Sequence, residues 1–260
     1  MKRSYQLGLK CPKSNDSSFI PRKGVEKMRN NRFKKGECIY ANPLATPDDL
    51  KDFISEGEVK TTFENGWLIL ENGLEAEATD DKGHWVLWCP TEMPDEIIIE
   101  WEFSPLREPG LCMIFFAATG KNGEDLFDPT LPKRTGLYPQ YHSGEINALH
   151  LSYFRRKWEE ERQFCTCNLR KSHGFHLVAM GADPIPTVRD AKTYQMQIVK
   201  HQDMVQFSIN DLTVLEWQDP GTAYGPILGK GKIGFRQMAP MKGSYRNLTV
   251  HQAVLEREEK

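Results

Sequence analysis

The feature that most limits what this chain can become is a long succession of short apolar segments, each closed by turn residues, with almost no helical spacing between them. Leu111 to Ala118 is a continuous apolar run between Gly110 and Gly120, the pattern of a central strand buried on both faces. Ile97 to Phe103 alternates, with Ile97, Ile99, Trp101 and Phe103 on one face and Glu100 and Glu102 on the other. Asn147 to Tyr153 alternates too, setting Leu149, Leu151 and Tyr153 against Ala148, His150 and Ser152. His84 to Cys89 is short and aromatic, bounded by Gly83 and Pro90. Tyr194–Val199 and Val205–Ile209 flank a polar bend and predict a hairpin, and Asn210-Asp211 turns into Thr213–Trp217. Ile233–Met238 and Tyr245–Val250 complete the series. The best helical segment is Pro47–Ile54, with Thr46 as cap and Asp48 and Asp49 in its first turn. Strands recurring every ~8–12 residues predict an all-β sandwich or jelly roll of two antiparallel sheets with little helix.

A chain of 260 residues accommodates this as one domain, expected over residues 35–255. Residues 1–34 are rich in Lys, Arg, Asn and Ser and lack periodicity, so they read as a disordered tail, or as sequence upstream of a start at Met28. With 34 basic and 36 acidic residues, no global field favours nucleic acid or an anionic membrane. No apolar run is long enough to span a bilayer, and the N-terminus lacks a signal-peptide core, which predicts a cytoplasmic protein. Six cysteines without zinc-ribbon spacing are expected to be structural thiols.

The densest polar cluster runs from Tyr138 to His176. It includes Tyr141, His142, His150, Ser152, Arg155, Asn168, Arg170 and Lys171. If Leu149, Leu151 and Tyr153 face the core, His150 and Ser152 point to the outer face of the same sheet. A solvated sheet face is the plain alternative; four of the seven histidines within 35 residues favour a site. His173 and His176 lack the carboxylate that would complete a metal set, so neither metal nor cofactor is expected. Asp125 and Asp128 leave room for a structural calcium ion. Gly229–Gly234 leads into a strand, which removes phosphate-loop chemistry, and no Gly-x-Ser-x-Gly turn is present.

The segments Gly110–Ala118, Gly123–Pro129, Tyr141–His150, Ser152–Arg156, Cys167–Ser172 and Gly234–Pro240 closely resemble the YesU family. The similarity extends over residues 36–254. The resemblance implies a concanavalin A-like sandwich of the lectin and glucanase superfamily. It also implies an acidic pectic ligand, because the name-giving member is encoded among enzymes of rhamnogalacturonan breakdown. Retaining glucanases of the superfamily carry a Glu-x-Asp-x-x-Glu strand; here the stretch reads Glu145-Ile146-Asn147-Ala148-Leu149-His150, which argues against two-carboxylate hydrolysis.

The cluster suits β-elimination from a uronate better. His150 or His142 would be the base, Tyr141 or Tyr153 the acid, and Arg155, Arg170 or Lys171 the carboxylate clamp. Asn168 and Ser152 would meet hydroxyls, and Trp88 or Trp85 would stack on a sugar. The leading expectation is therefore an enzyme acting on pectin-derived acidic oligosaccharides by elimination or hydrolysis. A non-catalytic carbohydrate-binding protein is the alternative, and a structural or assembly role the third. The oligomeric state is not legible in the sequence.

Overall fold

The alternating segments become fifteen strands in a computed structural model that describes residues 32–74, 84–190 and 192–256. In chain order they are β1 (Phe33–Asn42), β2 (Ile54–Glu56), β3 (Val59–Glu64), β4 (Trp67–Asn72), β5 (Trp85–Trp88), β6 (Ile97–Arg107), β7 (Leu111–Gly120) and β8 (Ile146–Tyr153). There follow β9 (Thr166–Ser172), β10 (His176–Ala182), β11 (Tyr194–His201), β12 (Met204–Ile209), β13 (Leu212–Gln218), β14 (Lys232–Met238) and β15 (Lys242–Leu255). Two short helices, α1 (Pro139–His142) and α2 (Glu159–Phe164), flank β8. The expectation for residues 1–34 falls outside the described residues except at its end, where Phe33 opens β1.

One sheet has the order β13-β12-β11-β6-β15-β4-β3, with β1 also paired to β15; the other has the order β10-β9-β8-β7-β14-β5-β2. Between them lies an aromatic-rich core that includes Trp101, Phe103, Tyr153, Phe207, Phe235 and Tyr245. Phe103 and Tyr153 meet edge to face, with ring centroids 5.2 Å apart, the arrangement their quadrupoles favour. Cys89, Cys112 and Cys167 are free, buried thiols.

Local chemistry sets the turns. Asn210 and Asp211 have φ of 50° and 64°, the paired left-handed residues that a two-residue hairpin between β12 and β13 requires. The expected helix at Pro47–Ile54 is only a 3₁₀ turn, Pro47–Leu50. The Asp49 carboxylate accepts from the Ala45 and Thr46 amides at 2.9 and 2.8 Å and closes that turn. It ends early because Ile54 pairs with Trp88 as the start of β2.

Every residue of β7 is buried, which explains its unbroken apolar run. Cys112, Ile114 and Phe116 face the main core, whereas Leu111, Met113 and Phe115 face outward into a second cluster with Trp88, Leu126 and Tyr141. The loop between β7 and β8 therefore covers part of the outer face of the seven-stranded sheet.

Gly234 sits beneath that cover: a Cβ there would come within 2.4 Å of the Trp88 ring. Gly234→Ala should destabilise the domain by ~1–3 kcal/mol through overpacking. Thermal unfolding would show a midpoint several degrees lower, and an unchanged midpoint would mean that the indole has room to move.

Candidate functional site

Register builds the outer face. Trp88, Gly234, Phe115, His150 and Arg170 stand opposite one another across β5, β14, β7, β8 and β9. Two residues along, Val86, Arg236, Met113, Ser152 and Asn168 form the next row. Because side chains alternate, both rows project away from the main core.

The β5-β14-β7 half of this face is packed. Tyr141 lies 5.5 Å from the Phe115 ring and its hydroxyl accepts from the Gly136 amide at 3.1 Å. The Arg236 guanidinium lies 4.8 Å from the Tyr138 ring and 5.4 Å from the Tyr141 ring, and donates to the Gly136 carbonyl at 2.7 Å. Glu56 accepts from Trp88 Nε1 at 2.9 Å and pairs with Arg134 at 2.7 Å. Trp88 is thus a wall of a closed subcore, not a platform for a sugar, and Trp85 packs in the main core. Tyr141 is buried in the same way, and that burial pushes its hydroxyl far above its ordinary range.

His150 lies at the border of the covered half and is only 1% exposed. It stacks on Phe115 with 17° between the rings. Its Nδ1 meets the Tyr138 hydroxyl at 2.9 Å and its Nε2 meets Ser172 Oγ at 3.2 Å. Burial, then the charges of Arg170, His142 and Arg236, hold the imidazole well below its ordinary pKa. His150 is therefore neutral near pH 7, with both ring nitrogens engaged. Tyr138, also buried at its hydroxyl, is pushed up to about 12 despite the three arginines nearby.

Beyond His150 the face carries positive charge. Arg170 is half-buried, its guanidinium 3.8 Å from the centre of the Phe175 ring and donating to the Phe175 carbonyl at 3.1 Å. No carboxylate among the described residues pairs with it; burial and Arg155 lower its pKa. Arg155 donates to Thr166 Oγ1 at 2.8 Å and pairs with Glu161 at 2.7 Å. The Asn168 amide is assigned with its oxygen accepting from Arg155 at 3.1 Å. Ser152 is buried on the same face. His142 is half-buried, its ring 4.5 Å from Phe175, and burial followed by the Arg170 charge lowers its pKa.

The structure thus brings together His142, His150, Arg155, Asn168 and Arg170, with Ser152 beside them. Besides Trp88 and Tyr141, which are packed in the subcore, it separates Tyr153 and Lys171 from them. Tyr153 points into the inter-sheet core, as its alternation with His150 requires, and reaches no ligand there. Lys171 lies on the opposite face from Arg170, buried in an ion pair with Asp219 at 2.6 Å. Sequence reasoning missed Tyr138, Ser172, Phe175 and Arg236. Ser172 could have been found by extending the Asn168–Arg170 alternation by one step; the other three depend on loop placement and cross-strand register.

Asp125 pairs with Lys232 at 3.2 Å and Asp128 accepts from Thr130 Oγ1 at 2.6 Å. Among the described residues, no group of three or more His, Cys, Asp or Glu is arranged to hold a metal ion. No helix there is long and apolar enough to cross a membrane.

A pH dependence follows from His150. Its folded pKa lies below its ordinary value of 6.5, so below that pH the unfolded chain binds the extra proton. Stability should be intact above 6.5 and fall as the pH drops, with a slope approaching ~1.4 kcal/mol per pH unit for this one group. His142 adds in the same direction. Unfolding midpoints measured from neutral to mildly acidic pH should fall less steeply for His150→Gln than for the parent. Parallel profiles would show that His150 titrates as an ordinary histidine.

Comparison with known proteins agrees with the resemblance read from the motifs. The family model described as "Domain of unknown function (DUF1961)" matches residues 37–250. The uncharacterized protein YesU of Bacillus subtilis (strain 168) is 58% identical over 223 residues, which cover 85% of this chain and 99% of that one. A crystal structure of a protein of unknown function with a galectin-like fold, also from Bacillus subtilis, matches with a TM-score of 0.82 and 58% identity, over 86% of this chain and 100% of that chain. The kappa-carrageenase of Pseudoalteromonas carrageenovora, solved with an oligotetrasaccharide, has a TM-score of 0.54 at 10% identity, over 91% of this chain and 100% of that chain. That last likeness is one of fold alone. The chain belongs to the DUF1961 family.

Proposed function

We propose that this protein binds an acidic oligosaccharide on the outer face of the seven-stranded sheet, with Arg170 as the carboxylate clamp. The observation that carries this reading is the Arg170 guanidinium, half-buried and without a carboxylate partner among the described residues. A partly desolvated cation of this kind gains most from an anion, and its planar fork suits a uronate carboxylate. Arg155 and Asn168 extend the polar floor. Phe175, 47% exposed, and Met180, 64% exposed and in register with Asn168, offer apolar surface to a sugar ring. The carrageenase, which is similar in fold, is solved with an oligotetrasaccharide of kappa-carrageenan. The resemblance to the YesU family supports a pectic, rhamnogalacturonan-type sugar.

Elimination is the second reading, favoured by the chain Tyr138–His150–Ser172 beside Arg170. Tyr138 would take the proton next to the carboxylate as its own proton passed to His150 Nδ1, the freed electron pair forming the C=C bond as the C–O bond to the leaving sugar breaks and that oxygen takes a proton from solvent. The same burial and arginine charges that depress His150 oppose this step, because it ends on an imidazolium. Binding is for that reason the better-supported function. Hydrolysis by two carboxylates has less support still: Asn147 is engaged with the Lys121 carbonyl, and Glu145 is exposed at the start of β8.

Calorimetry with an oligogalacturonate and a neutral oligosaccharide of equal length tests the reading. Arg170→Ala should weaken the acidic ligand by about tenfold or more, a loss of at least ~1.4 kcal/mol, and leave the neutral one nearly unchanged. Equal losses for both, or no binding of any acidic fragment, would overturn it. Appearance of unsaturated uronate by ultraviolet absorbance, abolished in Tyr138→Phe with affinity retained, would establish the elimination reading instead.

A further inference from the structure

The eight-stranded sheet carries a groove of different chemistry on its own outer face. Ser244 pairs with both Ile69 and Ser104, so these three side chains form one row across β4, β15 and β6. Their neighbours Leu68, Leu70, Phe103 and Tyr245 fill the main core, which turns the row outward. Trp67 lies two residues before Ile69, and Leu106 lies two residues after Ser104. With Thr193 and the Glu64-Asn65 turn, they enclose a groove of about 320 Å³. That volume is at the lower end of the range for small-ligand sites, ~300–1,000 Å³.

The charge in this groove differs from that around Arg170. Arg246 stacks on Trp67 at 4.1 Å, but its charge is neutralised by Glu102 at 2.6 Å. Glu64, exposed at the rim and in none of the ion pairs of the described residues, adds negative charge there. The floor supplies Ile69 and two serine hydroxyls, the rim an indole, a carboxylate acceptor, an amide and the Thr193 hydroxyl. Among the described residues, only the Ser244 hydroxyl of this set has a hydrogen-bond partner, donating to the Ser104 carbonyl at 3.2 Å. An indole wall beside polar groups that retain hydrogen-bonding capacity complements a ring with one C–H face and several hydroxyls.

We propose that this groove is a second saccharide site, selective for neutral pyranosides and independent of the Arg170 face. The test titrates the whole chain with neutral β-linked hexasaccharides of glucose, galactose and mannose, and separately with oligogalacturonate, using saturation-transfer NMR and calorimetry. A neutral hexasaccharide should bind, and Trp67→Ala should weaken it by about tenfold while leaving oligogalacturonate affinity unchanged. Leu106→Glu, at a position already 43% exposed, narrows the groove without touching the core and should reproduce the loss. Failure of every neutral hexasaccharide to bind, or binding at full strength in both variants, would overturn the proposal. A loss of oligogalacturonate affinity in Leu106→Glu, with its unfolding midpoint unchanged, would also overturn it, because the two sites would then not be independent. Absence of oligogalacturonate binding in the parent would bear on the Arg170 face alone.

Discussion

Arg236 is wholly buried on β14, its guanidinium against the rings of Tyr138 and Tyr141 and its Nη1 on the Gly136 carbonyl. Burying a charge is expensive unless hydrogen bonds and polarisable groups replace water around it. Here the loop between β7 and β8 supplies both, so the loop is fixed over the sheet by the group it covers. Three consequences follow. Tyr138 is held with its hydroxyl on His150; the outer face of β7 stays buried; and a permanent positive charge adds, after burial and Arg170, to what lowers the pKa of His150 and His142. The neutrality of His150 thus rests first on its burial, against Phe115 and Tyr138, then on Arg170 of β9, with Arg236 of β14 adding to both.

The covered half and the open half of this sheet do different things. Over β5, β14 and β7 the outer face is a second hydrophobic cluster, and the aromatic residues there are packing groups. Over β8 and β9 the face carries Ser152, Asn168, Arg155 and Arg170, and its positive charge exceeds what Glu161 neutralises. Low dielectric on one side raises the value of an anion on the other, because field lines from the arginines are poorly screened through the packed half. A binding surface gains from this directly. A proton relay through His150 does not, since Arg170, which would hold a carboxylate, also opposes an imidazolium.

The sandwich was legible because alternation and turn chemistry are local. Leu149, Leu151 and Tyr153 face the core and His150 faces away, as period-two spacing requires, and the Asn210-Asp211 turn falls where its residue types allow left-handed backbone. The continuous apolar run of β7 correctly signalled burial on both faces. What covers its outer face was not legible, since no periodicity encodes the path of the loop from 121 to 145. That gap explains the reading of Trp88: a tryptophan on an outward position suits a sugar platform only if nothing lies over it. It also explains why Tyr138, which completes the His150 contacts, was passed over in favour of Tyr141. The short turn at Pro47–Leu50 has another cause, the competition of Ile54 for a place beside Trp88.

Lys171 shows how adjacent basic residues divide by strand parity. Arg170 and Lys171 are neighbours in a polar run, but on a strand one faces outward and the other inward. Inward, Lys171 is sealed in an ion pair with Asp219 and donates to the Gly225 carbonyl at 3.0 Å. Such a buried pair gives little net stability, because desolvation offsets its Coulombic gain, but removing one partner is costly. Its effect is therefore on geometry: β9 is tied from below to the segment that follows β13. Arg156 acts likewise nearby, bonding Asp183 at 3.1 Å and the Ile185 carbonyl at 2.6 Å. Arg155 and Arg170 thus project from backbone held on its inner side by buried charged residues, so their guanidiniums are positioned before any ligand arrives. Their side chains would therefore lose little further freedom on meeting an anion, which lowers the ordering cost of any such contact.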